Sequence, residues 1–188
     1  TVKPSGTLST LAGVTSGIHP AIYQYFIRRI RMATDSPLIK VCKDNGYYVE
    51  FQKNFDGTDD KNTMVVEFPC SYPVGTVLAK DTTAVEQLAW VKKLQTEWSD
   101  NSVSCTVYYR KEELDEIKQW LKDNYNTSHK TVSFLLHNEH GFIQAPYEEI
   151  TEMRYKAMRE SVKPIAGIEE EFEFMDFMEC ESGICPVK

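Results

Sequence analysis

The sequence predicts an α/β protein with a partly parallel sheet. β-rich runs and amphipathic helical patterns alternate along most of the chain, which is typical of strands joined by helical connections. Hydrophobic residues make up 41% of the 188 residues, enough for a substantial core in one domain or in one large piece of a bigger one. No stretch reaches the roughly 18 consecutive apolar residues of a membrane-spanning helix, so no membrane partner is expected.

The first elements lie in a segment rich in Gly, Ser and Thr. Residues 4–6, Pro-Ser-Gly, predict a turn, and residues 7–12 predict a short helix that Gly13 stops. No strand is expected ahead of this turn, because it begins so close to the start of the sequence. Residues 22–32 are apolar and aromatic, a pattern that fits either a strand or a helix.

The remaining elements are predicted from capping residues and periodicity. Ser36 as the cap, Pro37 at the first helical position and Gly46 past the end predict one helix. Apolar residues at helical spacing predict the other helices, and β-rich runs predict the strands. The predicted strands cover residues 63–69, 102–109 and 131–137, and the predicted helices cover residues 83–100, 111–125 and 148–162.

The net charge of −7 is unevenly distributed along the chain. Residues 166–188 carry seven acidic residues and one lysine, which leaves residues 1–165 nearly neutral. A nucleic-acid surface needs clustered Lys and Arg, so no nucleic-acid partner is predicted. The basic run at residues 28–31 is better explained as one face of a strand or helix. We therefore predict a folded body, residues 1–165, followed by a flexible acidic arm, residues 166–188.

Cysteine usage indicates the compartment. The five cysteines form no dense disulfide framework, which fits a reducing environment. The first residues also lack the charged-then-apolar pattern of a secretion signal. These observations predict a cytoplasmic protein.

The turn at residues 4–6 and the helix start after it form a candidate phosphate site. Such a turn leaves several backbone N–H groups unpaired at the positive end of the helix dipole. Gly6 lets the main chain approach a ligand closely, and Ser5, Thr7 and Ser9 add hydroxyl donors. The Gly-Lys-Ser/Thr of a Walker loop does not follow. An ordinary capped helix start explains the same residues, and composition alone favours it.

Cys180 and Cys185 stand near the end of the acidic arm, with four residues between them. A disulfide that closes so small a loop stabilises little, and zinc would need further ligands that the neighbouring residues do not supply. Glu179 and Glu181 raise the pKa of the thiols by repelling the thiolates. Two interpretations remain open from the chemistry: a reversible dithiol that exchanges disulfides, or two incidental cysteines.

The other cysteines and the histidines carry weaker signals. Cys42, Cys70 and Cys105 lie in or next to predicted elements, and we expect each to be a small buried hydrophobe. For His19 and the histidines of residues 137–140, a structural role or a place in a ligand loop is expected. No carboxylate or cysteine stands at metal-ligand spacing from them, so no metal site is predicted.

Five segments, in order along the chain, resemble a known enzyme family. They are KPSGTLSTLAGVTSGIHP, YFIRRIRM, WSDNSVSCTV, GFIQAPYEEIT and the terminal CESGICPVK. Together they resemble the C-terminal part of an adenosylcobalamin-dependent (class II) ribonucleoside-triphosphate reductase. A fragment of the large subunit of a diiron-class ribonucleoside-diphosphate reductase is the second choice. A non-catalytic binding module with an incidental cysteine tail is the alternative from a different class.

The resemblance implies a fold and a set of functional residues. In the family, a ten-stranded α/β barrel surrounds the radical site, and residues 1–165 would supply its final strands and helices. The family's Pro-Ser-Gly-Thr turn binds the phosphates of a ribonucleoside triphosphate. Here the corresponding positions are Ser5, Gly6, Thr7, Leu8 and Ser9. Cys180 and Cys185 would re-reduce the active-site disulfide after each turnover and then be reduced by thioredoxin or a similar protein.

The resemblance also implies parts that this sequence does not contain. The family's radical cysteine and the internal cysteine pair that reduces the ribose come from earlier in the chain, and Cys105 matches no motif of the radical residue. Adenosylcobalamin is implied as cofactor, without a contact assigned to any residue here. We therefore expect a partner chain or an upstream segment to supply the radical cysteine, and this chain alone to be inactive. Thr1 in first place fits a split gene or an intein-derived piece.

Overall fold

A computed structural model describes residues 1–126, 129–137 and 143–166, except the side chain of Thr7. The helices are α1 (Gly6–Ala12), α2 (Pro37–Asp44), α3 (Ala84–Glu97), α4 (Leu114–Asn124) and α5 (Glu152–Ser161). The strands are β1 (Tyr25–Ala33), β2 (Tyr48–Lys53), β3 (Asp59–Ser71), β4 (Thr106–Tyr109), β5 (Ser133–Leu136) and β6 (Tyr147–Glu149). Two short 3₁₀ helices occupy Ala79–Asp81 and Lys111–Glu113.

Four of the strands form an antiparallel sheet in the order β2-β3-β1-β6. The long strand β3 pairs with β1 through the whole length of β1, with Ile27 opposite Pro69 and Arg29 opposite Glu67. The buried residues Ile39, Cys42, Met64 and Val66 form a core where α2 packs against this sheet. Helix α5 packs on β1 and β3, so the sheet joins the first and last parts of the described chain.

The segment after α5 is fixed against the turn that follows α2. Gly46 adopts φ +84°, which strains any residue with a side chain. A Cβ on Gly46 would also lie 2.6 Å from the carbonyl oxygen of Ser161, so the close approach itself requires glycine. The amide of Lys163 donates to the carbonyl of Asn45 at 2.9 Å. Gly46 therefore serves two purposes, ending α2 and admitting the end of α5.

The other two strands, β4 and β5, pair in parallel, and α4 lies between them in the sequence. Their core contains seven buried residues: Ala84, Leu88, Val91, Val103, Cys105, Val107 and Ile117. Helix α3 packs on β4 and begins at a capping box formed by Thr83 and Glu86. The fully buried Gln87 exchanges two hydrogen bonds of 2.9 Å with the backbone of Tyr108, which satisfies the edge of β4 that faces away from β5.

The predicted elements are mostly present, and the differences have physical reasons. Parallel strands are present as predicted, but not within one mixed sheet: in the described residues the four-stranded sheet is antiparallel throughout, and β4 and β5 form a separate parallel pair. The helix expected over residues 148–162 starts at Glu152, because residues 147–149 pair with β1 as strand β6. Ahead of the turn at residues 4–6, the described chain has an isolated parallel bridge between Val2 and Val103 rather than a strand. Among the residues described, no helix combines the length and hydrophobicity needed to cross a bilayer.

Candidate functional site

The candidate phosphate loop, residues 5–9, forms the first turn of α1. Ser5 is the N-cap residue, and its side-chain oxygen accepts a hydrogen bond from the Leu8 amide at 3.4 Å. The amide of Ser9 donates to the carbonyl of Ser5 at 3.0 Å, which closes the first helical turn. The first N–H groups of a helix have no carbonyl partner inside the helix, so the main chain at Gly6 presents donors at the positive end of the dipole.

The surroundings of Gly6 are open. A Cβ built on this residue would meet no heavy atom within 4 Å, and its φ is not in the left-handed region. Packing within the described residues therefore does not require glycine at this position. A ligand that lies directly against the main chain would require it.

The hydroxyl groups near the loop differ in the hydrogen bonds that they make. The Ser9 hydroxyl donates to the carbonyl of Gly6 at 3.3 Å, and the Thr10 hydroxyl donates to the same carbonyl at 2.6 Å. These two side chains therefore stabilise the helix. The Ser5 hydroxyl accepts rather than donates in its contact with Leu8, so its own proton remains available to a ligand.

The chain on both sides of α1 is tied to the parallel strand pair. The amide of Ser104 donates to the carbonyl of Val2 at 2.8 Å. Gly17 adopts φ +58°, and a Cβ there would lie 3.1 Å from the carbonyl oxygen of Lys3, so the segment after α1 returns close to the segment before it. The loop is therefore held at both ends.

His19 makes a third connection, between the segment after α1 and the parallel strand pair, and both of its ring nitrogens take part. Nδ1 lies 2.9 Å from the carbonyl oxygen of Ser16, and Nε2 accepts a hydrogen bond from the amide of Thr106 at 2.9 Å. A carbonyl can only accept and an amide can only donate, so Nδ1 carries the proton and Nε2 does not. The expected structural role of His19 is thereby supported by its two contacts.

A cavity of about 210 Å³ opens beside the loop. Its walls come from the segments that flank α1 and from aromatic residues of the strands and loops around it. The residues that line it include Pro4, Thr15, Ser16, His19, Phe26, Tyr72, Tyr108 and Tyr147. Burial is the main reason that the pKa values of Tyr72 and Tyr108 lie above the ordinary value, so both phenols are neutral at physiological pH. We call this space the aromatic cavity.

Known proteins similar to this chain share one activity in their names. The chain is 37% identical, over its whole length, to an adenosylcobalamin-dependent ribonucleoside-triphosphate reductase of Levilactobacillus brevis. A probable enzyme of the same name from Dictyostelium discoideum is 39% identical over 87% of the chain. A crystal structure of a B12-dependent (class II) ribonucleotide reductase superposes with a TM-score of 0.76 and 34% identity over 90% of the chain. The chain is homologous to a segment of the class II ribonucleotide reductases.

The match covers only part of each reductase. The chain spans 26% of the Levilactobacillus protein, 21% of the Dictyostelium protein and 23% of the crystallised chain. No protein-family model matches the chain. The predicted fold class is confirmed: the mixed α/β structure corresponds to a portion of the larger reductase.

Three of the five cysteines lie in the described part of this chain. Cys42 and Cys105 are buried, as expected for small hydrophobes, whereas Cys70 is only half-buried and lies inside β3. Burial raises the pKa of Cys42, and it raises the pKa of Cys105 to about 11. Both thiols are therefore protonated and unreactive at neutral pH. Cys180 and Cys185 lie outside the described residues.

The structure brings together some of the residues predicted for the reductase site. The backbone of residues 5–9 lies in one turn at the start of α1, as the loop hypothesis requires, while the side chain of Thr7 is outside the description. In the described ranges, no three His, Cys, Asp or Glu side chains lie close enough together to hold an ion. The aromatic cavity was not predicted, because its tyrosines come from distant positions and no local pattern connects them.

Proposed function

We propose that this chain is part of an enzyme that reduces ribonucleoside triphosphates to 2′-deoxyribonucleoside triphosphates by a radical mechanism. The observation that carries the proposal is the similarity of the whole chain, at 37% identity, to a protein of that named activity. The TM-score of 0.76 to a crystal structure of a class II ribonucleotide reductase also supports it. The relatives are about four times as long, so the remaining three quarters would come from an upstream segment or a partner chain.

The role proposed for residues 5–9 is to bind the substrate phosphates. The exposed main chain at Gly6, the N-cap position of Ser5 and the positive end of the α1 dipole together offer donors to an anion. The aromatic cavity lies beside this loop and is walled by neutral, mostly apolar rings. It therefore has the chemistry to hold the uncharged nucleoside part of the same ligand.

The role proposed for Cys180 and Cys185 is to return electrons. Their two thiols would pass two electrons and two protons to the disulfide formed in the active site and become a disulfide themselves. The dithiol of thioredoxin or a similar protein would then restore them by the same exchange. The acceptor disulfide would belong to the part of the enzyme that this chain does not contain.

Adenosylcobalamin is the cofactor in the names of the relatives, and we propose it for the complete enzyme. It supplies the radical when bound. Among the described residues, His19 is no candidate for a contact to its cobalt, because both ring nitrogens are engaged with the backbone. We assign no contact and no step to the cofactor here.

The first test is reconstitution. The chain should co-purify with a larger, cysteine-containing partner or be expressed in one piece with its upstream segment, and the assembly should reduce ribonucleoside triphosphates when adenosylcobalamin and thioredoxin are supplied. The chain alone should show no turnover. An assembled, cobalamin-loaded protein that binds nucleotides without reducing them would contradict the proposal and favour a binding module.

The loop is tested with Gly6→Val in the assembled enzyme. Because the structure leaves room for a side chain at Gly6, the variant should fold normally but obstruct phosphates that lie against the main chain. We expect a rise in KM for the nucleotide of about tenfold or more, equivalent to losing roughly 1.4 kcal/mol of binding. Leu11→Ala is the matched control, because Leu11 is 85% exposed on the same helix. An unchanged KM in Gly6→Val would remove residues 5–9 from the phosphate site.

The tail is tested with Cys180→Ser and Cys185→Ser. Turnover supported by thioredoxin should be lost in either variant, whereas turnover supported by a small dithiol, which can enter an active site directly, should persist. Cys42→Ala is the control, since Cys42 is buried on the face of α2 that packs against the sheet and has no place in the exchange. If both serine variants kept full turnover with thioredoxin, the shuttle role would be wrong.

A further inference from the structure

A second cavity, of about 250 Å³, lies between α1, the β1–β3 pair and α5. It shares Phe26, Tyr72 and Tyr147 with the lining of the aromatic cavity, so the two spaces adjoin. Its distinguishing feature is a pair of arginines, Arg28 from β1 and Arg159 from α5. We call it the arginine cavity.

Arg28 is held in place, and one of its donors lacks an acceptor. Its guanidinium lies 4.3 Å from the centre of the Tyr147 ring, and Nη1 donates to the carbonyl of Pro146 at 3.3 Å. The Nε atom is buried and has no hydrogen-bond partner among the described residues. A buried donor without an acceptor is costly, so this position favours a ligand that offers oxygen atoms.

Arg159 differs from the other cations of its helix. On α5, Arg154 pairs with Glu148 at 3.2 Å and Lys156 pairs with Glu152 at 2.7 Å. Neither Arg159 nor Arg28 forms an ion pair within the described part of the chain. Among the described residues, two positive charges therefore face one cavity whose lining contains no carboxylate.

Both arginines line the same cavity as Cys70. Burial raises the pKa of the Cys70 thiol, and the charges of Arg28 and Arg159 both oppose that rise. An anion bound between them would lie beside Cys70.

We propose that the arginine cavity binds a phosphate group. Two guanidinium groups can contact several oxygens of one phosphate at once, which a single carboxylate matches less well. The nearby C-terminal end of α1 does not oppose an anion strongly, because the carbonyl of Ser9 is capped by the amides of Gly13 and Val14. Ser9 also lines this cavity, so it adjoins the candidate phosphate loop, but its cations are side chains whereas the donors of the loop are main-chain amides.

The phosphate could be free or belong to a nucleotide, and Cys70 allows the two sources to be compared. Cys70 is half-buried in this cavity, while Cys42 and Cys105 are buried in the two cores and serve as internal controls. The measurement is the rate of alkylation of each cysteine in the native 188-residue chain, followed by mass spectrometry of its peptides. The measurement needs no turnover. The phosphate proposal can therefore fail while the reductase proposal stands, and the reductase proposal can fail while the phosphate proposal stands.

Inorganic phosphate, tripolyphosphate and a ribonucleoside triphosphate are each compared with chloride at equal ionic strength. If the bound form does not react, Cys70 alkylation should slow roughly threefold at a ligand concentration of twice the Kd. Slowing by inorganic phosphate identifies a site for free phosphate, and slowing by the nucleotide alone identifies a nucleotide site. Either result supports the proposal, provided that Cys42 and Cys105 do not change in parallel.

The variants assign the effect to the arginines. Arg159→Gln should abolish the protection of Cys70, and Arg154→Gln, on the same helix but paired with Glu148, should retain it. Arg28→Gln should also abolish it, and unfolding by urea shows whether this variant is folded. Protection that persists in Arg159→Gln, or an alkylation rate that none of the three ligands changes, would overturn the proposal.

Discussion

Nε2 of His19 accepts a hydrogen bond from the backbone amide of Thr106 at 2.9 Å, across 87 positions of sequence. Thr106 is the first residue of β4, and His19 ends the segment that returns from α1. This one bond therefore fixes the candidate phosphate loop to the parallel strand pair. The carbonyl of Ser16 fixes the ring tautomer that makes the bond possible.

Replacing His19 by Ala should destabilise the chain. The Thr106 amide would lose its acceptor in a partly buried position, which costs about 1–3 kcal/mol of unfolding free energy. Urea unfolding of the variant measures this loss. His137→Ala is the control, because the His137 side chain is exposed at the end of β5. Equal stability of His19→Ala and the parent chain would show that the tie does not hold the loop.

Gln144 has a strained backbone, and its side chain holds its own loop against β2. Its φ of +55° is unfavourable for any residue but glycine, yet its side chain donates to the Phe51 carbonyl at 2.9 Å and accepts from the Lys53 amide at 2.8 Å. Both Gln144→Ala and Gln144→Gly lose these bonds. Only the glycine variant relieves the backbone strain, so it should be the more stable of the two by about 1 kcal/mol. If urea unfolding showed Gln144→Ala to be the more stable variant, the positive φ at this position would not destabilise the chain.

Arg29 should be far more important for stability than an exposed cation. It lies 2.7 Å from Glu67, and each side chain is only 10% exposed. Burial lowers the pKa of Arg29, but hydrogen bonds to Glu148 and Glu67 raise it further, so the net shift is upward. Arg29→Met would leave a buried carboxylate unpaired and should cost about 3–5 kcal/mol.

Two further variants test this explanation of Arg29. The double variant Arg29→Met/Glu67→Gln removes the unpaired charge and should recover part of the loss. Lys40→Met, which breaks an exposed pair with Asp44, should not change the unfolding free energy measurably. If Arg29→Met were as mild as Lys40→Met, the buried ion pair would not be a stabilising unit.

Local signals in the sequence predict the helices well. Ser36, Pro37 and Gly46 predict a helix that the structure places at Pro37–Asp44, because capping depends on neighbouring residues alone. Strand β6 escaped prediction because three residues are too few to show alternation. Its existence depends on pairing with β1, more than a hundred positions away in the sequence.

The site shows the same division between local and long-range information. The basic run at residues 28–31 was expected to form one face of an element, but strand alternation separates its arginines. Arg29 reaches Glu67 and Glu148, while Arg28 stacks on Tyr147 beside the arginine cavity. The sequence shows that these residues are basic. Only the fold decides which of them is neutralised and which faces a cavity.

The buried thiol of Cys105 should make stability depend on pH in the alkaline range. Burial raises its pKa from the ordinary value of 9.0 to about 11, and the neutral thiol is the form that the core accepts. The contribution is fully present below about pH 9 and is lost as the pH rises through 11, because the unfolded chain ionises first. Cys105→Val removes the ionisation, and any effect of the larger side chain on packing is constant with pH. Between about pH 8 and 11, the parent chain should lose about 1–3 kcal/mol more unfolding free energy than the variant. Subtracting the unfolding free energy of the variant from that of the parent chain cancels the titration of Cys42 and Cys70 and most of that of the tyrosines. Parallel pH profiles for the two proteins would show that Cys105 ionises as easily in the folded chain as in the unfolded chain.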